Sequence, residues 1–99
     1  MARGLMYVES APASPEEEAA YHEWYAVHLR ELLEVDGVVS AQRYRILGED
    51  GTYAAVYELE GDIAAVRERI GAGRRTPPRG VRTDPPPWVR LLEELDPAG

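Results

Sequence analysis

The run Tyr21-His22-Glu23-Trp24-Tyr25-Ala26-Val27-His28-Leu29-Arg30-Glu31-Leu32-Leu33 holds the side chains best suited to chemistry in this chain. Wound as a helix at about 100° per residue, it sets Tyr21, Trp24, Tyr25, His28 and Leu32 on one face, with Glu23, Arg30 and Glu34 opposite. His28 is therefore expected to point inward. An imidazole titrating near neutrality among aromatic rings can act as a general acid or base in a small apolar pocket. The same stripe can equally be packed core, with His28 making one structural hydrogen bond. His22 lies about 120° around and about 9 Å along the helix from His28, too misaligned for the two to share a metal ion. It is expected half-exposed at the edge of the site, and no metal is expected.

Other residues extend the candidate site. Tyr21, Trp24 and Tyr25 can stack on a planar ligand. Tyr7, Tyr44 and Tyr57 sit in strand-like runs, and their hydroxyls are candidate donors to a substrate oxygen. Arg43 could bind an enolate or carboxylate with its planar fork, or lie at a subunit seam or in solvent. Arg74, Arg75, Arg79 and Arg82 form a basic cluster that could steer an anionic substrate or simply be a solvated loop. There is no phosphate-binding glycine loop, dinucleotide fingerprint, Gly-x-Ser-x-Gly elbow or His-Glu-x-x-His motif, so nucleotide cofactors and serine or zinc hydrolysis are not expected.

These residues must be held by a small scaffold. Ninety-nine residues make one domain, spanning 1–99, and a monomer of this size buries a modest share of its surface. The net charge of -7 disfavours nucleic acid and anionic membranes as partners. The absence of cysteine excludes disulfides, thiolate nucleophiles and cysteine-held metal clusters. No apolar run is long enough for a signal-peptide core or a membrane span, so a soluble cytoplasmic protein is expected.

The chain reads as alternating strands and helices. Gly4 to Ser10 is a buried strand. Ser14 and Pro15, with Glu17 three residues after the serine, read as a capping box opening a helix that runs to about Val35, where Asp36-Gly37 ends it. Val38 to Leu47 and Thr52 to Glu60 form a hairpin about Gly48-Glu49-Asp50-Gly51. Gly61-Asp62 opens a shorter helix on Ile63, Val66 and Ile70, which stops at Gly71-Ala72-Gly73. Arg74 to Pro87, with five prolines and four arginines, reads as an exposed loop with too little apolar content to pack. Trp88 to Leu95 is the last strand.

The order βαββαβ is that of an α+β ferredoxin-like sandwich, with four antiparallel strands and both helices on one face. In the strand Thr52 to Leu59, Tyr53, Ala55, Tyr57 and Leu59 face one side and Ala54 and Val56 the other, so both faces look buried. The helices can cover only one. A homodimer joined through the other sheet face is the expected cover.

The run Trp24 to Leu33, followed by Val35-Asp36-Gly37-Val38-Val39-Ser40-Ala41-Gln42-Arg43-Tyr44, resembles the EthD-like branch of the dimeric α/β-barrel superfamily. The resemblance covers residues 5 to 60, and the remainder by element order alone. His22 stands where that branch leads one to expect asparagine, and Asp36 replaces the usual proline before Gly37. The resemblance implies a cofactor-free pocket for a small hydrophobic or aromatic metabolite between the first helix and the sheet of each subunit. Relatives include aromatic polyketide cyclases, quinone-forming monooxygenases, aldoxime dehydratases and isomerases, so fold does not choose the chemistry. The leading expectation is a cyclase, lyase or isomerase of polyketide-like metabolism using His28 as acid and base, with Tyr7, Tyr21, His22, Trp24, Tyr25, Arg43, Tyr44 and Tyr57 around the substrate. A cofactor-free monooxygenase of aromatic substrates and a non-catalytic binding protein are the alternatives. Trp24 and Tyr25 should border a cavity large enough for a few fused rings.

Overall fold

A computed structural model describes residues 2–97. Strand β1 (Arg3–Ser10) leads through a 3₁₀ turn (Pro15–Glu17) into helix α1 (Glu18–Leu33). The hairpin β2 (Val38–Arg45) and β3 (Tyr53–Glu60), helix α2 (Ile63–Gly73) and strand β4 (Trp88–Glu93) complete the chain. The sheet is antiparallel throughout, in the order β2-β3-β1-β4. This is the ferredoxin-like α+β sandwich.

Register decides which side chains meet the helices. Met6 opposes Tyr57, Val8 opposes Ala55 and Ser10 opposes Tyr53, so these residues share the inner face. The aromatic stripe of α1 and Val66 and Ile70 of α2 press onto that face, and Tyr21, Leu32, Tyr57, Leu59 and Val66 are the largest side chains fully withdrawn from solvent. Burying each such side chain contributes about 1.5–3 kcal/mol, the main force holding the helices to the sheet.

Three element boundaries differ from expectation. Ser14 makes no side-chain cap; instead Glu17 donates its backbone N–H to the Ser14 carbonyl at 3.1 Å, closing the tighter 3₁₀ turn before α1 begins at Glu18. Strands β2 and β4 stop at Arg45 and Glu93, leaving Leu47 and Leu95 in solvent. Helix α2 is capped by Asp62, whose side chain accepts from the Ala65 N–H at 3.2 Å.

The proline-rich segment is largely exposed, as its composition implies, yet it is fastened to the fold. Val81 bridges to Pro12, the Ala13 N–H donates to the Gly80 carbonyl at 2.7 Å, and the Arg82 N–H donates to the Ala11 carbonyl at 2.8 Å. Composition predicts poor side-chain packing; the anchors are backbone groups, which composition does not report. Gly80 has φ +68, and a Cβ there would meet the Glu17 carbonyl at 2.7 Å and the Tyr21 nitrogen at 2.9 Å. Gly48 also has positive φ, +88, but open space around it. Gly80→Ala is therefore expected to lower stability by at least about 1 kcal/mol more than Gly48→Ala, read from urea midpoints. Equal losses would mean that the segment does not depend on this close approach.

Candidate active site

The α1 stripe is docked by one hydroxyl. Ser10 Oγ, at the end of β1, hydrogen-bonds both the Tyr21 hydroxyl at 2.7 Å and the Tyr25 hydroxyl at 3.0 Å. That pairing satisfies the phenols in the core and sets the rotation of the helix. One turn further on, the same rotation brings Trp24 and His28 against each other, rings stacked at 4.4 Å and 18°. Tyr25 meets the imidazole edge-on at 5.8 Å.

His28 and Trp24 line a cavity of about 170 Å³ between α1, α2 and the sheet. Met6, Val8, Tyr25, Leu32 and Tyr57 form its floor and walls, Arg67 and Ile70 its α2 side, and Arg74, Pro78, Val81 and Pro87 its cover. A cavity of about 150 Å³ accommodates a benzene-sized ligand. The space thus suits one ring, less than the few fused rings expected, because the proline-rich segment occupies volume that an exposed loop would have left open. A larger hollow of about 450 Å³ lies mainly over the outer sheet face at Leu5, Val39, Glu58 and Leu92. It has no histidine and no buried polar group, so chemistry is assigned to the smaller one.

The electrostatics of His28 follow from its surroundings. The residue is 7% exposed, and Nδ1 is buried with no hydrogen-bond partner. Burial, reinforced by the Arg74 charge and opposed by Glu31, pushes its pKa down to about 4. At neutral pH the ring is uncharged. Burial pushes the Tyr57 phenol far above its usual range, so it stays protonated, and burial also raises Tyr25.

The cover is latched to the same helix. Trp24 Nε1 donates to the Thr76 carbonyl at 3.1 Å, while the buried Glu31 carboxylate accepts from the Thr76 N–H at 3.2 Å and from its hydroxyl. Arg75 lies 3.8 Å from Glu31 and 2.6 Å from Glu34. The Thr76 hydrogen bonds hold Glu31 below the usual carboxylate range.

The remaining sequence candidates are distributed differently. Tyr21 is fully buried beside the cavity and does not line it. Arg43 faces inward at the sheet edge, its guanidinium 4.5 Å from the Tyr25 ring centroid and within 5.4 Å of Tyr21 and Tyr53. It reaches His22 Nδ1 at 3.0 Å, and its Nη2 is buried without a partner. His22 is half-exposed, packed edge-on to Tyr53, with a pKa lowered by burial and by Arg43. Neither lines the cavity.

Of the three strand tyrosines whose facing the sequence leaves open, Tyr57 is turned toward the helices and Tyr7 and Tyr44 lie on the outer sheet face. Side chains alternate along a strand, so inward Met6 and Val8 turn Tyr7 outward, and inward Arg43 turns Tyr44 outward. Tyr7 donates to Glu9 and packs edge-on against Trp88; Tyr44 is 53% exposed. Arg67 and Thr76 escaped the sequence reading. Arg67 follows Ile63 by four and precedes Ile70 by three, so an arginine on the apolar stripe was the available signal. Thr76 had none. Among the described residues no cluster of three potential ligands could hold a metal ion, and no helix is long and apolar enough to cross a membrane.

The fold has solved counterparts. The cofactor-independent oxygenase SnoaB of Streptomyces nogalater, in a mutant form, superposes with a TM-score of 0.64 at 12% identity over 90% of this chain and 89% of its own. Rv0793 of Mycobacterium tuberculosis gives 0.62 at 17% over 98% and 99%. A Bordetella bronchiseptica protein provisionally described as an antibiotic biosynthesis monooxygenase gives 0.56 at 15% over 93% and 97%. At these identities the likeness establishes the ferredoxin-like fold. No protein-family model matches the chain, and no curated protein matches it.

The depressed pKa of His28 has a sign that can be measured. Between its ordinary 6.5 and about 4, the unfolded chain binds a proton at this position that the native chain refuses. Stability from this group is thus complete above pH 6.5 and falls as pH drops toward about 4. In His28→Gln that component disappears, so the variant should lose less stability than wild type between pH 6.5 and 4 in denaturant titrations. Parallel curves would place the imidazole in a water-like environment.

Proposed function

We propose that this chain is a cofactor-independent enzyme of small-molecule metabolism in which His28 takes a proton from a small planar substrate. The observation that carries this reading is the buried, neutral imidazole on the cavity wall with Nδ1 unpartnered. A histidine serving only as packing would be expected to have its nitrogens satisfied, since an unpaired buried polar group costs about 1–3 kcal/mol. Stacking on Trp24 fixes the ring plane, so the group is oriented before substrate arrives.

An imidazole whose conjugate acid has a pKa of about 4 is a weak base toward an isolated C–H group. Substrate changes that balance. As the proton moves to the imidazole, its bonding pair stays on the substrate as an enolate or phenolate, and imidazolium and anion stabilise each other against the largely apolar wall of the cavity. The Tyr57 phenol, kept protonated, is available as a hydrogen-bond donor to the developing oxyanion. Return of the proton to a different atom gives an isomerase, loss of a leaving group beta to the carbanion a lyase, and attack of the carbanion on a second carbonyl of the substrate a cyclase. A second reading draws on the likeness to SnoaB, a cofactor-independent oxygenase: the same substrate anion could react with dioxygen. A non-catalytic binding protein would use the cavity without proton transfer.

The outer sheet face fits assembly. Tyr44, Ala54, Val56, Trp88 and Leu92 lie on it, and Tyr44, Trp88 and Leu92 are substantially exposed. A second copy related by two-fold symmetry would cover it, and sedimentation at micromolar concentration should then give about twice the 11.0 kDa chain mass. A folded monomer of single mass would remove this part of the proposal.

Proton transfer is tested by deuterium incorporation into small cyclic ketones and phenols in heavy water, followed by NMR. Wild type should accelerate exchange, and His28→Gln should reduce the enzymatic rate by about 10² to 10⁴ without unfolding. His22→Asn should change it far less. Exchange within tenfold of wild type in His28→Gln would assign the base elsewhere, and oxygen consumption would favour the oxygenase reading.

A further inference from the structure

Besides the His28 imidazole and the Tyr57 phenol, the cavity carries two guanidinium groups, those of Arg67 and Arg74. Arg67, on α2, has Nη1 3.8 Å from the position of a Cβ at Gly71, which places its head along the cavity side of the helix. Arg74 stands at the end of α2, where the cover begins, close enough to His28 to affect its charge. Neither forms an ion pair or hydrogen bond with a described residue. Three other arginines are engaged elsewhere: Arg75 with Glu31 and Glu34, Arg69 with the Asp36 carbonyl, and Arg43 with His22 and three tyrosine rings. No aspartate or glutamate lines the cavity, and Glu31, the carboxylate whose charge acts on His28, is turned to Thr76 and Arg75.

In a chain of net charge -7, two uncompensated cations at the rim of an apolar hollow create a local reversal of sign. Such a rim favours a ligand with an anionic head and an apolar body. The forked geometry of guanidinium matches a carboxylate, and about 170 Å³ matches one ring. We infer that the natural ligand of this cavity is a monocyclic aromatic carboxylate, its ring between Trp24 and the sheet and its carboxylate on Arg67 and Arg74. The inference rests on the cavity being a small-molecule site and does not need His28 to be a base. It also gives the substrate a fixed polarity. The anionic head stays at the rim, and the ring carbons face the imidazole.

Benzoate, benzamide and 2-naphthoate serve as probes in calorimetric titrations of the wild-type protein and of Arg67→Gln, Arg74→Gln and Arg79→Gln, with circular dichroism to verify folding. Benzoate should bind at least about tenfold more tightly than the neutral isostere benzamide, and added salt should weaken it. Each of Arg67→Gln and Arg74→Gln should weaken benzoate about tenfold and leave benzamide within twofold. Arg79→Gln, outside the cavity, should match wild type. The two-ring probe should bind more weakly than benzoate. Equal affinity for acid and amide, indifference to both rim substitutions, or binding of neither ligand would overturn the inference; tighter binding of 2-naphthoate would overturn its size limit. Failure of the proton-transfer reading is separable: His28→Gln would leave exchange unaltered while benzoate affinity still followed the arginines.

Discussion

The geometry of the cavity depends on the two tyrosine hydroxyls that converge on Ser10 Oγ. A phenol buried without a partner is costly, and α1 brings two of them into the core four residues apart. Only one rotation of the helix lets both reach the end of β1. Once that rotation is set, Leu32 enters the core and His28 comes to the cavity wall, while the charged face of the helix remains in solvent. The position of the imidazole is a consequence of hydrogen-bond satisfaction one turn away.

Local periodicity made much of this legible in the sequence. The face expected of α1 is the face that is buried, because five large residues at helical spacing leave no competing orientation. Strand parity was harder. In β1, Leu5, Met6, Tyr7 and Val8 are all apolar, so alternation fixed two sets without saying which met the helices, and Tyr7 went to the outer face. Tyr44 followed the same rule on β2, where inward Arg43 is the counterintuitive member. An arginine on the helix side of a sheet is stabilised by three tyrosine faces, a solution that no single-strand pattern announces.

The cover was the least legible part. Thr76 finds its partners on α1, 45 and 52 residues away in sequence, through backbone groups as much as side chains. Composition correctly described the segment as poor in apolar residues, but the reach of Glu31 and the indole N–H across that distance is a property of the folded chain. The consequence for the site is direct. The cavity is bounded by structure of two kinds, a sheet-and-helix wall fixed by the core and a proline-rich rim fixed by a few hydrogen bonds.

That division has an evolutionary side. The stretch between Arg82, where the last backbone anchor lies, and Trp88, where β4 begins, contributes Pro87 to the cavity and pairs with no strand. Insertions or deletions there would alter the depth and mouth of the cavity without disturbing Ser10, the helix rotation or the imidazole. Descendants of such a chain could change what they admit while inheriting the same reactive group, so diversification of substrate and preservation of chemistry would be encoded in separate, independently mutable lengths of polypeptide.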